Sequence, residues 1–439
     1  MQIRRWLSYF VLLSLWVVCL SCGQNYRLPI IQIPGDPGDP KLYHFAMTIS
    51  TNDPTTNANI PGTVMQVDVV GDMDVGEAHV GRGPIYATLL PTGSANRIYV
   101  ANGLEDTVST TTAAPLACSP GPVCPIGTVS TITMPAGSAP SYLNSTEASN
   151  MYVILSGTTP PSVGVISVFQ NALVQQITLP LGSNPVAMVE LPNGHKLYVV
   201  DKAQSAVYVV NAVSHQIELT LAVGAAPSMA LASPDNSAVY VMTSAGVSVI
   251  DALTDQVIAG NLTTGSQPSS IAYDTKLNHL YVTDTSGRVG VYDAGVAAGG
   301  LPSTLYIAPA GSFPGAIGAA PLPGGTHFYV LANSAGTSLE LTKVDSGTFA
   351  FGSPYQLNNL NSGGVAAPTV PYCSGVRFRY MVGASADSGR VYVSSCDAGG
   401  TYIFRTSDNT GVLLLPSPNQ PPVNGATPPQ NPVFLITGR

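Results

Sequence analysis

The sequence predicts an all-β fold: a β-propeller of four-stranded antiparallel blades, eight or seven in number, closed by pairing of the C-terminal strand with the first blade. Two motifs repeat in phase, and the stretch between repeats holds four short strands with no room for a helix. The clearest unit is Gly182 to Leu219. Gly182-Ser183-Asn184-Pro185 leads into the apolar run Val186 to Val189, and a turn follows at Pro192-Asn193-Gly194. Then come Leu197-Tyr198-Val199, Val207-Tyr208-Val209 and Gln216 to Leu219, each bounded by turn formers. Short β-branched and aromatic runs between Gly, Pro and Asn are strand signals. A meander of roughly 40 residues, repeated, is the mark of a propeller blade.

The first recurring motif is apolar-Tyr-Val, centred on Tyr99, Tyr152, Tyr198, Tyr240, Tyr281, Tyr329 and Tyr392. The second is Gly-x-x-Pro: Gly81 with Pro84, Gly137 with Pro140, Gly182 with Pro185, Gly224 with Pro227, Gly265 with Pro268 and Gly311 with Pro314. Tyr152, Tyr198, Tyr240 and Tyr281 are spaced by 46, 42 and 41 residues. Spacing lengthens elsewhere, so loops there have grown. Leu42-Tyr43-His44 offers a degenerate eighth anchor. The first blade then lacks an opening strand, and Pro432 to Thr437 is a strand with nothing after it. Pairing the two removes the free sheet edges of a broken ring.

These residues resemble the YVTN-type propeller repeats of prokaryotic cell-surface proteins and, more loosely, the lactonase-like propeller group. The match is good at Leu191-Pro192-Asn193-Gly194 with Leu197-Tyr198-Val199, and at Ser233-Pro234-Asp235 with Val239-Tyr240-Val241. It covers roughly residues 80 to 345. The motif implies a fold and no activity, because its residues build strands and turns.

Residues 1–21 read as a signal peptide: Arg4 and Arg5, then an apolar run from Val11 to Leu20. Leu20-Ser21-Cys22-Gly23 resembles the end of a bacterial lipobox, which implies lipidation at Cys22. Cys19 departs from that pattern, and an unlipidated secreted protein is the alternative. Residues 22–41 form a Pro-rich tether, and residues 42–439 the propeller. Both tryptophans, Trp6 and Trp16, fall in the signal segment.

Charged residues make up 9% of the chain and the formal charge is -8. Without Arg4 and Arg5 the mature chain stands near -10, two charges lower. Nucleic acid needs a basic footprint and is excluded as a partner. Four cysteines remain after Cys22. In an exported protein an even set reads as disulfides, most simply Cys118 with Cys124 and Cys373 with Cys396. They contain no Cys-x-x-Cys pair for zinc.

No catalytic constellation is present: no nucleophile elbow, no His-Glu-x-x-His and no P-loop. His195, His279 and His327 recur beside Tyr-Val strands, and a polar turn position explains them better than a shared metal site. His79 and His215 read as isolated, and His44 as an altered anchor. Asp201, Asp251, Asp284 and Asp293 follow strands, where carboxylates accept turn amides. Asp68, Asp72, Asp74 and Glu77 form the densest acidic cluster; calcium is a candidate there, and a solvated strand face is the default. No other cofactor is expected. Residues 343–371 read as a long surface excursion. The expected function is an exported, lipid-anchored module binding a protein or glycan at the cell envelope without catalysis. The alternative is a lactonase- or lyase-like enzyme with a divalent ion in the central channel.

Overall fold

A computed structural model describes residues 45–437 apart from 70, 92–95, 113–125, 147–148, 296–299, 335, 337, 361–370 and 419–427. Eight four-stranded antiparallel sheets make eight blades. The ring therefore has eight blades rather than seven. The inner strands are Asn431–Thr437, Pro84–Pro91, Pro140–Asn144, Pro185–Glu190, Met229–Ala232, Pro268–Asp274, Ala316–Pro321 and Tyr380–Ala384, in blades 1 to 8. Each packs against the inner strand of the next blade, and the last against the first, so they enclose a central axis.

Blade 1 is built from both ends of the chain. Phe45–Thr51 pairs with Pro61–Asp68 on one side and with Asn431–Thr437 on the other. The closing strand opens on Asn431-Pro432-Val433, the same tripeptide as Asn184-Pro185-Val186 of blade 4. The anchor of this blade is displaced from the expected place. Phe45 faces Asp68 as Lys196 faces Asn211, so the residue in the position of Tyr198 is Met47. Met47 is fully buried. Tyr43 and His44 lie outside the described residues.

The other seven anchor tyrosines are almost wholly buried between neighbouring sheets. Burying a ring of this size is the main gain, and each hydroxyl needs a partner. Four hydroxyls find one in the following blade. Tyr152 donates to the Ala212 carbonyl at 3.2 Å and Tyr198 to Asp255 at 2.7 Å. Tyr240 donates to the Ala294 carbonyl at 3.1 Å and Tyr329 to Asn409 at 3.3 Å. The Tyr-Val repeat is thus a rivet between blades as well as a strand.

An antiparallel meander gives the ring two faces. The lower face carries the turns from first to second strand and from third to fourth. The upper face carries the turns from second to third strand and the links between blades. Asp201 shows how the upper face is stapled. Its carboxylate accepts the amides of Asn184, Ala203 and Gln204 and the Tyr208 hydroxyl. This joins the Gly-x-x-Pro link to a turn of the same blade. Gly182 sits at φ 84°, a conformation that favours glycine. Of the expected excursion at residues 343–371, the part up to residue 360 includes the outer strand Tyr355–Gln356 and the fully buried Leu357, and residues 361–370 lie outside the described residues.

Candidate functional site

The upper mouth of the channel follows from a repeated defect in the inner strands. Proline near their start has no N–H to give the ladder. A register shift follows directly after Pro84, Pro140, Pro185, Pro268 and Pro432. Each bulge leaves one residue unpaired with its neighbouring strand, and bulges re-aim the backbone near functional sites. At Val186 the freed carbonyl has a partner. Arg377, in the link between blades 7 and 8, donates to it at 2.5 Å and to the Ser228 carbonyl at 2.9 Å. Blades 4 and 5 lie across the ring from blade 8. Arg377 therefore spans the mouth of the channel.

Aromatic rings fill the space beneath it. Tyr86 stacks on Tyr142 with centroids 4.0 Å apart, and touches Phe434 at 4.3 Å and Phe378 at 5.7 Å. The Arg377 guanidinium lies 5.5 Å from the Tyr142 ring centre and 5.0 Å from that of Phe378. Such cation–ring contacts are attractive. Burial pushes the Tyr86 phenol well up, and the neighbouring Tyr142 adds to the effect. The base of this plug is fixed by a disulfide between Cys373 and Cys396, with Cα atoms 5.7 Å apart. Beside it Arg379 pairs with Asp397 at 2.7 Å. The expected Cys373–Cys396 pairing is thus present, whereas Cys118, Cys124 and Cys22 lie outside the described residues.

The channel wall offers little to a divalent ion. The eight inner strands carry two charged residues, Glu190 and Asp274, and no His, Lys, Arg or Cys. Glu190 accepts from the Thr146 amide and hydroxyl, and Asp274 from the amides of Lys276 and Leu277. Both are engaged with turns at the lower ends of their strands. Aromatic rings and a guanidinium at the upper mouth do not fit an ion of charge +2.

The other candidates separate. His327 lies 3.9 Å from Asp345 of its own blade, and the His279 ring meets Tyr281 edge-on. His195 is an exposed turn residue. His79 contacts Thr63, and His215 contacts Gln175. Among the described residues no group of three or more His, Cys, Asp or Glu side chains could hold a metal. The acidic cluster divides its duties: Asp72 is engaged by Arg390, while Asp68 and Asp74 accept the amides of Gly71 and Gly76. Glu77 is pushed up to about 7 by desolvation and the neighbouring Asp74. Two adjacent carboxylates fall short of the roughly six to eight oxygens calcium takes.

A second feature of the upper face had no sequence signal, because its residues come from distant segments. A cleft of about 450 Å³ lies between blades 1 and 2, lined by Asn59, His79, Arg82, Glu105, Ser109 and Thr131, among others. Glu105 accepts the Arg82 amide at 2.7 Å, and Arg82 donates to Asn59 at 3.1 Å. Cation, anion, imidazole and hydroxyls are thus presented together, with exposed backbone around them.

The fold and the plugged mouth define the class: an eight-bladed propeller whose axis is closed on one face by its own chain. Solved β-propeller structures are similar to it. The dihydro-heme d1 dehydrogenase NirN, in complex with DHE, matches at 14% identity over 90% of this chain and 75% of its own, with a TM-score of 0.62. Apo AztD from Citrobacter koseri matches at 10% identity over 91% of this chain and 99% of its own, with a TM-score of 0.60. The periplasmic gluconolactonase PpgL of Pseudomonas aeruginosa matches at 14% identity over 71% of this chain and 95% of its own, with a TM-score of 0.51. At these identities the likeness is one of fold. No family model matches the chain, and no curated protein does.

Proposed function

We propose that the chain is an exported, lipid-anchored propeller that binds a protein or glycan at the cell envelope and carries out no chemistry. The observation that carries this reading is the wall of the channel. Where an enzyme of the lactonase type would need converging carboxylates and imidazoles, this chain has apolar inner strands and a plug of its own. The upper face offers instead a polar cleft and a ring of turns, the surface that propellers commonly present to ligands. Export is supported by the signal-like start, by the disulfide and by likeness to a periplasmic propeller. Lipid at Cys22 is supported by Leu20-Ser21-Cys22-Gly23.

Native mass spectrometry of full-length protein, extracted from membranes in mild detergent without chelator, tests the reading. The expected species begins at Cys22, carries acyl chains and holds no stoichiometric metal; a co-purifying protein or glycan identifies the ligand. A stoichiometric divalent ion removable by chelator, with lactone hydrolysis that returns on reloading, would sink it.

A further inference from the structure

Most large apolar side chains of this protein are buried, and the exceptions are not scattered evenly. Phe169 is 97% exposed, Val213 82% and Leu253 73%. They occupy one equivalent position, two residues beyond the end of the third strand, in blades 3, 4 and 5. Those strands are Ser162–Ser167, Ala206–Asn211 and Gly246–Asp251. All three side chains therefore stand on the lower face, in consecutive blades.

The turn does not need them. In blade 4 the Val213 amide donates to Asn211, and in blade 5 the Leu253 amide donates to Asp251, both at 2.9 Å. In blades 6 and 7 the same amide belongs to Gly295 and Gly347, which make the same bond at 3.0 Å to Asp293 and Asp345. Glycine thus serves the backbone equally well. The Phe, Val and Leu side chains contribute nothing to this turn, and water gains nothing from them. Exposed apolar residues are ordinary singly; repeated at one position in three adjacent blades, they mark a contact surface.

The path of the chain indicates what covers that surface. Phe45–Thr51 is the second strand of its blade, and it starts from the lower face. The described chain therefore begins on the same face as the three apolar tips. The stretch from Cys22 to that point spans up to about 75 Å at full extension, at roughly 3.3 Å per residue. Asp255, two residues from Leu253, is paired with Lys196 at 2.6 Å, and Asp251 is engaged with the turn amides of Leu253 and Thr254.

We propose that the lower face rests on the lipid surface, with Phe169, Val213 and Leu253 dipping into the headgroup boundary, so that the plugged mouth and the polar cleft face away. This rests on lipidation of Cys22 and adds an orientation to it. Loop tips bearing apolar side chains gain by leaving water for the acyl boundary, as the apolar face of an interfacial helix does.

The absence of tryptophan after residue 16 supplies a clean reporter. Phe169→Trp and, on the upper face, Leu181→Trp are made in the full chain; Leu181 is 79% exposed and serves as the opposite pole. The processed proteins are purified, their N-termini and acylation read by mass, and each is reconstituted into vesicles of phosphatidylethanolamine and phosphatidylglycerol containing brominated acyl chains. The expected result is at least a twofold loss of emission for the residue 169 reporter and none for residue 181. Acylated, vesicle-bound protein with the residue 169 reporter unquenched, or with residue 181 quenched in its place, overturns the orientation and leaves the anchor standing. Protein without acyl chains that floats free of vesicles overturns the anchor and the orientation together. Energy transfer between residue 169 positions of neighbouring molecules, without quenching by lipid, assigns the surface to a second copy and also overturns the proposal.

Discussion

Arg390 and Asp72 stand 318 residues apart in sequence and form a two-pronged ion pair, Nε to Oδ1 at 2.7 Å and Nη2 to Oδ2 at 2.8 Å. The pair joins blade 8 to blade 1 across the seam of the ring. It has a counterpart inside the ring, Lys196 of blade 4 with Asp255 of blade 5 at 2.6 Å. Asp72 and Asp255 occupy the same turn position, at φ 51° and 54°. The seam is therefore fastened by the same device as an ordinary junction, with the stronger fork of arginine. Both partners are mostly shielded from water, so removing one strands a charge. Arg390→Ala is expected to destabilise the protein by about 3 kcal/mol. A double-mutant cycle with Asp72→Ala, read by urea unfolding, should show coupling of about 1 kcal/mol or more. Additive effects would mean that the seam does not depend on the pair.

The disulfide between Cys373 and Cys396 closes a loop with a sequence separation of 23. By the chain-entropy argument it contributes about 3 kcal/mol. Cys373→Ser combined with Cys396→Ser should lower the urea midpoint of the oxidised protein accordingly. Wild type in reductant should match the double variant, and a midpoint indifferent to both would remove the bond from the account of stability.

Arg377 holds the plug to the far side of the ring through two carbonyls. Charge-assisted bonds of this kind are worth about 1.5–3 kcal/mol each when well made, less at an exposed site. Arg377→Ala should speed amide exchange in residues 374–379 by about tenfold, equivalent to about 1.4 kcal/mol of local opening. Global stability should change far less. Unchanged exchange would show that the disulfide alone seats the segment.

Asp201 links pH to the upper face. Burial opposes its charge, but the Asn184 amide, the Tyr208 hydroxyl and the Gln204 amide outweigh that and hold the carboxyl below its usual value of 3.8. A lowered carboxyl stabilises the fold above its unfolded pKa, and the contribution disappears as pH falls through the folded value. Asp201→Asn should therefore be less stable than wild type at pH 7, and the gap should close as pH falls below about 4. Urea midpoints across that range measure it; a gap of constant size would contradict the assignment.

Most of the ring was legible because its rules are local and repeated. Tyr-Val strands fall in blades 2 to 8 and Gly-x-x-Pro links lead into blades 2 to 7, and the orphan strand at residues 432–437 was readable from what it lacked. Two errors share a cause. Met47 was missed because its blade keeps the register of the repeat without its tyrosine, and a buried apolar position accepts either side chain. Asp72 was grouped with its neighbours in sequence, whereas its partner comes from the other end of the chain. The plug was illegible for the same reason. Nothing in Arg377-Phe378-Arg379 says that the first of them crosses the ring; that depends on the bulge at Val186 and on the aromatic rings of three other blades. Sequence periodicity reports what each blade does for itself, and the site is made between blades.

The pairing of Asn431–Thr437 with Phe45–Thr51 has a consequence in time. A chain emerging from its N-terminus presents Phe45–Thr51 with one edge bare, and that edge stays bare while seven further blades emerge. Blade 1 is completed only when Asn431–Thr437 reaches Phe45–Thr51, so the ring stays an open arc until blades 2 to 8 have been made and locks on its eighth inner strand.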